Sequence, residues 1–334
     1  MRFFLNIAVL MLAAVACVTQ ADEPILIRFS YVTGEQTPKG QGAALFKRLT
    51  EERLAGKVRV ELYPRSQKFN DDEVMLALLV GDVELAAPSL AKFRSFSSAL
   101  QIFDLPFLFD DVEAVHRFQA SEAGQKLLGS MTGEGITGLA FWENGMRAMS
   151  TNRPLRLPGD LKGLIFRVEP STVMQTQYDM LGVATVPMPF NKVRDALRLG
   201  LVTGQENAWS NIRSQNFDEF QSYFLDLGHS YLGYMLVTSN EFWDGLPPEI
   251  RAALDQIIVQ VTAEVNRVAR EKAKSDRQTV VAAGRAKVLT PTAAEREEWQ
   301  RALKPLWKAF EAEIGTGLIA AARQANKQTA GISQ

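Results

Sequence analysis

Cysteine is almost absent: the 334 residues hold one, Cys17. Everything after it is without disulfides or thiolate metal centres, so stability must come from a core, which this length can build. Histidine is nearly as scarce, with only His116 and His229. That leaves too few ligands for a transition-metal site, and no metal or cofactor is expected. Neither sign of charge dominates, since 37 Lys and Arg stand against 38 Asp and Glu. Bulk attraction to nucleic acid or to an anionic membrane is therefore excluded, and charge can act only by local placement. After the first residues no run approaches the ~20 apolar residues of a spanning helix. Short-period repeats and low-complexity linkers are missing as well. So is any recognisable set of nucleophile, base and orienting group. "GEGITG" (133–138) has dinucleotide-type glycines but leads into the strand-like "LAFW", where the fingerprint must open a helix. "GHSYLG" (228–233) has no glycine two after Ser230 and fails as a nucleophile elbow.

What is present begins with "MRFFLNIAVLMLAAVACVTQADEP". Arg2 precedes an apolar stretch from Phe3 to Val18, broken only by Asn6, and "TQA" follows. This is the pattern of a secretory signal peptide, residues 1–21, cut after Ala21. "AVAC" weakly resembles a lipoprotein box, although Ala14 stands where a larger aliphatic residue is usual.

Further on, strand-like and helix-like segments alternate. "PILIRFSYV" (24–32), "KVRVELYP" (57–64) and "VELAAPS" (83–89) read as strands. Between them, "PKGQGAALFKRLTEERLAG" (38–56) and "DDEVMLALLVGD" (71–82) have helical spacing, the second with Asp71 as its cap. The order restarts with the strand "GLIFRVEP" (163–170), a helix opened by Ser171, the strand "ATVPMPF" (184–190) and the helix "NKVRDALRLGL" (191–201). Two α/β halves with parallel-type open sheets are expected. From Pro247 to about Ala283 there is no internal Gly or Pro, and Ile250, Leu254, Ile257, Ile258, Val261, Val265 and Val268 keep helical spacing. One helix there would run roughly 50 Å and tie both halves together. The alternative is two helices joined near Lys274.

The candidate chemistry lies in arginines beside small polar residues. Arg147 follows a strand in "NGMRAMSTN", and Arg167 stands between Phe166 and Val168 within another, whose end feeds the helix opened by Ser171. In open α/β sheets ligands bind at the carboxyl ends of strands. An arginine in an apolar run must find an anion, because an isolated buried charge costs too much. That anion is either a ligand carboxylate, held bidentately, or an internal Asp or Glu. "GQENAWSNI" (204–212) is either a solvated loop over a buried Trp209 or a polar turn facing a ligand.

In "TPKG" (37–40), "LYPRSQ" (62–67), "PSLAKF" (88–93), "DLPFLF" (104–109), "NGMR" (144–147), "DLKGLIFRV" (160–168), "PMPFNKV" (187–193), "GQEN" (204–207), "SNIRSQNF" (210–217) and "HSYLGY" (229–234), the chain resembles the periplasmic solute receptors of tripartite ATP-independent periplasmic (TRAP) transporters. The likeness is greatest to their C4-dicarboxylate-binding branch. It implies a two-lobe periplasmic binding protein fold, with crossing strands, a long helix spanning both lobes, and a ligand in the interlobe cleft. Residues 22–146 with about 233–272 would form lobe I, and 147–232 with about 273–334 lobe II. The resemblance makes Arg167 the salt-bridge partner of the ligand carboxylate. Arg147, Asn207 and Phe190 match further site positions. Glu206 is expected to brace an arginine or the backbone. For a second carboxylate Lys39 is the first choice, with Ser89 and His229 behind it.

The implied protein is a non-catalytic monomer in the periplasm that hands an organic acid to TRAP membrane subunits. "SQKFND", "VTGQEN" and Glu169 depart from the branch pattern and leave other ligands open. The alternatives are a receptor for an aromatic or keto acid, one serving a sensor, and a secreted hydrolase or lyase with an arginine clamp.

Overall fold

A computed structural model describes residues 23–327; the expected signal peptide and Cys17 lie outside the described residues. Along the chain the strands are β1 (Ile25–Ser30), β2 (Val58–Tyr63), β3 (Leu85–Ala86), β4 (Ile136–Met146), β5 (Ala148–Thr151), β6 (Ile165–Val168), β7 (Ala184–Pro187), β8 (Gly204–Asn207), β9 (Tyr223–Leu225), β10 (Tyr231–Ser239) and β11 (Lys287–Leu289). They form two sheets, ordered β2-β1-β3-β10-β4 and β11-β9-β5-β8-β6-β7.

The βαβ segments behave as their periodicity predicts: β1 is parallel to β2 and β3, and β6 is parallel to β7 and β8. Neither sheet is wholly parallel, however. β10 runs antiparallel to β3 and β4, and β5 antiparallel to β8 and β9. The cause is the route of the chain. Parallel neighbours need a long crossover, usually helical. Here β4 leaves the first sheet and becomes β5 of the second after the single residue Arg147, and β9 returns to β10 through residues 226–230. The two crossings are hydrogen-bonded to each other, Arg147 N to Ser230 O at 2.9 Å and Gly228 N to Arg147 O at 3.1 Å.

The helix Pro38–Arg53 starts where Thr37 accepts from Gly40 N and Pro38 fills the first turn. The helix Thr172–Met180 opens on Ser171, whose hydroxyl accepts from Met174 N, as its sequence predicts. Asp71 is not a cap: that helix is Val74–Leu79 with Glu73 before it, and Asp71 is buried.

The long helix, Pro248–Ala283, is continuous over 36 residues and stops at Gly284 in the left-handed region. Its Ile250, Leu254, Ile257, Ile258, Val261 and Val265 pack against β1, β2 and the helix Pro38–Arg53, while Val280 packs with Val193, Phe217 and Phe224 of the second unit. One helix thus shares both cores. The C-terminal helices Pro305–Ile314 and Thr316–Lys327 depart from the expected division, which placed 273–334 with lobe II. Their Leu306, Phe310, Ile314 and Ile319 bury against Phe103, Phe109 and Phe118 on the first sheet's side. The helix Ala293–Leu303 stays with the second unit through Trp299 and Leu303. Large aromatic surface on the first unit gives those two helices the better apolar partner.

Candidate functional site

The carboxyl ends of β6 and β8, the first turn of Pro38–Arg53 and the crossing at Arg147 bring buried charges together. Arg167, on β6, is 1 % exposed and donates from Nε and Nη2 to Met188 O at 3.1 and 2.8 Å. Among the described residues it makes no ion pair, so the internal acid that its sequence setting allowed is not there. Burial pulls its guanidinium below the ordinary arginine range; Glu169 and Glu206 resist that pull and Arg147 adds to it.

Lys39 is fully buried. Its Nζ donates to Ala87 O at 2.8 Å and lies 3.6 Å from the centre of the Tyr234 ring. It too makes no ion pair among the described residues. Burial pushes its ammonium down to about 8, against the opposing fields of Asp71 and Glu169.

Arg147 is placed differently. Its Nη2 donates to Glu169 Oε2 at 2.8 Å and lies 3.5 Å from Asp104 Oδ1, and its Nε is 3.8 Å from Glu206 Oε1. Its Nε and Nη1 have no hydrogen-bond acceptor among the described residues. Burial alone would lower the arginine; the three acids reverse that and raise it. Burial would likewise raise Glu169, but Arg147, Arg167 and Lys92 outweigh it and hold the carboxyl at about 2. For Asp104 burial wins over Arg147, and its carboxyl is pushed up to about 7. Glu206 stays below its ordinary range because His229, Arg147 and Tyr178 overcome its burial. Its Oε2 accepts from Tyr178 at 2.6 Å and from His229 Nε2 at 2.9 Å. Glu206 therefore stands in the bracing position that its negative charge suggested.

The stretch Gly204–Ile212 is neither loop nor turn. Gly204–Asn207 is strand β8, the helix Trp209–Ser214 follows, and all nine residues are buried. Alternation along the strand sends Glu206 towards Arg147, and puts Gln205 and Asn207 in mutual contact, Asn207 Nδ2 donating to Gln205 Oε1 at 3.4 Å. Asn207 Oδ1 accepts from Asn211 Nδ2 at 2.8 Å. Phe190 opens the helix Phe190–Arg198 and packs with Val193 and edge-on to Phe217, ring centres 6.4 Å apart. Ser89 Oγ donates to Glu169 Oε2 at 3.2 Å across the two units.

Four participants escape the sequence reading. The Tyr234 hydroxyl accepts from Asn144 and Asn211, each at 3.0 Å, directly under Lys39. Asp71 faces Lys39 and Lys92 electrostatically, and burial raises its carboxyl nonetheless. Tyr178 holds Glu206. Asp104 stands in "IFDLPFLF", and the argument that singles out Arg167, a charge inside an apolar run, applies to it equally. The charged centre is enclosed. Beside it a cavity of about 380 Å³, lined by Thr37, Arg65, Ser210, Arg213, Lys272 and Asp276, separates the two units along the long helix. Among the described residues no group of His, Cys, Asp and Glu is placed to hold a metal ion, and no helix is long and apolar enough to cross a membrane.

Residues 29–313 match the family described as bacterial extracellular solute-binding protein, family 7. The C4-dicarboxylate-binding periplasmic protein DctP of Vibrio cholerae serotype O1 is 43 % identical over 305 residues, 91 % of this chain and 92 % of that one. A TRAP periplasmic solute-binding protein of Shewanella oneidensis, solved with bound succinate, superposes with a TM-score of 0.90 at 44 % identity, covering 91 % of this chain and 99 % of that one. A counterpart from Pseudomonas aeruginosa PAO1 with bound L-malate gives 0.84 at 45 % identity, covering 86 % and 100 %.

Proposed function

Because the chain belongs to bacterial extracellular solute-binding protein family 7, we propose that its enclosed charged centre captures a C4-dicarboxylate between two lobes. The protein is a periplasmic solute receptor of a TRAP transporter, working with membrane subunits. The observation that carries the ligand class is the pair Lys39 and Arg167. Each is at most 1 % exposed, they come from opposite units, and neither has a carboxylate within ion-pair distance among the described residues. Two buried cations without counterions are expensive unless an anion completes them. A ligand with a carboxylate at each end would complete both at once and draw the units together.

Arg167 is assigned the first carboxylate, using the donors that Met188 O leaves free, and Lys39 the second. Asn207 and the unpartnered Nη1 of Arg147 add donors, and Phe190 supplies an apolar wall. Ser89, whose hydroxyl already serves Glu169, and His229, whose Nε2 serves Glu206, are assigned to positioning those acids. The first sheet with the two C-terminal helices is read as one lobe and the second sheet as the other, with hinges at Arg147 and residues 226–230. The reading is non-catalytic: the ligand leaves as it came.

A thermal-shift screen of organic acids tests this. Ligand binding to the folded state alone adds RT ln(1 + [L]/Kd), about 2.7 kcal/mol at a hundredfold excess. Succinate, malate or fumarate should stabilise the protein more than matched monocarboxylates such as butyrate, and be recovered unchanged. A winning aromatic or keto monoacid, or steady product formation, would refute the assignment.

A further inference from the structure

Glu169 is an unusual presence in a site built to hold an anion. It lies two residues after Arg167, so alternation at the end of β6 turns both side chains to the same side. Its charge is felt by Lys39, Asp71, Asp104, Arg147, Arg167 and Tyr234, which places it at the middle of the cluster. Only one of its oxygens is occupied. Oε2 accepts from Arg147 at 2.8 Å and from Ser89 at 3.2 Å. No described residue donates a hydrogen bond to Oε1, although the group stays ionised, with its carboxyl held at about 2. Glu169 keeps 5 % of its surface exposed, and Oε1, with no donor among the described residues, has its lone pairs free for one that enters with the ligand.

Resting on the dicarboxylate reading above, we propose that Glu169 is a specificity-determining residue whose Oε1 accepts a hydrogen bond from a hydroxyl on the carbon chain of the ligand. The receptor then selects 2-hydroxy C4-dicarboxylates over the unsubstituted acid. The donor is a hydroxyl and not an ammonium, because Arg147, Arg167, Lys39 and Lys92 all lie within electrostatic reach of Glu169 and would repel a further cation. Repulsion between Glu169 and the ligand's own carboxylates is offset by the contact with Arg147, which neutralises it at Oε2. An acceptor at the same carbon, such as the carbonyl of a 2-oxo acid, would meet Oε1 lone pair to lone pair.

Titration calorimetry of the full mature chain with L-malate, succinate, oxaloacetate and L-aspartate tests this. In the wild-type protein malate should bind roughly tenfold more tightly than succinate, the worth of one charge-assisted hydrogen bond, and oxaloacetate and aspartate more weakly than malate. Glu169→Gln should then change the order. The amide oxygen has to take the place of Oε2 to satisfy Arg147 and Ser89, so the NH2 group faces the ligand where an acceptor stood. Malate should lose most of its advantage over succinate, and oxaloacetate should gain on both.

Wild-type protein that binds succinate as tightly as malate, or aspartate more tightly, overturns the proposal without any variant, so a Glu169→Gln chain that fails to fold leaves it falsifiable. An unchanged malate-to-oxaloacetate ratio in a folded Glu169→Gln protein also overturns it. If none of the four acids binds wild-type protein, the underlying dicarboxylate reading has failed, and that outcome differs from binding in the wrong order.

Discussion

Replacing Lys39 with methionine should make the empty receptor more stable and the loaded one less so. Burial moves the ammonium from its ordinary 10.5 to about 8. At roughly 1.4 kcal/mol per pH unit, keeping it charged at neutral pH costs the folded state about 3 kcal/mol. Methionine keeps the unbranched apolar stem and removes the charge. Against that gain, the Ala87 carbonyl loses its donor and the Tyr234 ring its cation, together about 1–2 kcal/mol. The net is a stabilisation of about 1–2 kcal/mol, or roughly 2–3 °C in Tm for a chain of this size. The pH dependence has a definite sign. Between pH 8 and 10.5 the unfolded chain holds a proton that the folded chain has released, so the wild type gains stability through that window and closes the gap to Lys39→Met. Thermal unfolding at pH 7 and at pH 10, with and without succinate, gives all three readouts. The ligand-induced rise in Tm should shrink to that of a monocarboxylate. A Lys39→Met protein less stable than wild type when empty, or one with an undiminished response to succinate, would refute the argument that an uncompensated charge is held ready for the ligand.

Arg167→Ala should weaken dicarboxylate binding more than tenfold by calorimetry. Arg167→Lys should restore little, because an ammonium cannot reproduce the planar fork that holds Met188 O and still presents paired N–H donors to a carboxylate; wild-type affinity in the lysine variant would contradict that geometry. The Asp104 carboxyl is pushed from 3.8 to about 7, so wild-type stability falls as pH rises between those values. Asp104→Asn should gain on wild type across that window in urea unfolding, and a gap independent of pH would count against it. A Cβ on Gly204 would lie 2.3 Å from the Phe166 ring, and that ring is backed by Tyr178 with centres 4.6 Å apart. Gly204→Ala should cost about 1–3 kcal/mol in the urea midpoint analysis, and a neutral result would mean the ring has room to retreat.

Local pattern carried the elements far. The long helix Pro248–Ala283 was legible because its spacing of Ile, Leu and Val is unbroken by Gly or Pro over 36 residues. The helix at Thr172–Met180 was legible through its serine cap. Sheet direction was not legible, because β4 and β5 read as one continuous strand-like run on either side of Arg147, and nothing in that run marks the change of sheet. Asp71 misled for a related reason. An aspartate before an apolar helical stretch has the chemistry of a cap, and only the packed structure shows it buried near Lys39 and Lys92 instead.

The two arginines show where the boundary lies in physical terms. Both stand beside apolar residues, and the burial argument predicts that each must meet an anion. It cannot say whose. The acids around Arg147 come from three separate segments, Asp104 ahead of β4, Glu169 just after β6 and Glu206 on β8. They converge only because β4 and β5 cross between sheets at that residue, with β9 and β10 returning beside it. Arg167 sits on β6, two strands from β5 with β8 between them, where its hydrogen-bond acceptor is the carbonyl of Met188. A backbone carbonyl satisfies N–H groups without neutralising them. The same residue type in the same sequence setting is therefore compensated at the crossing and left charged at the strand end, and that difference makes Arg167, with Lys39 opposite, the place where an incoming carboxylate gains most.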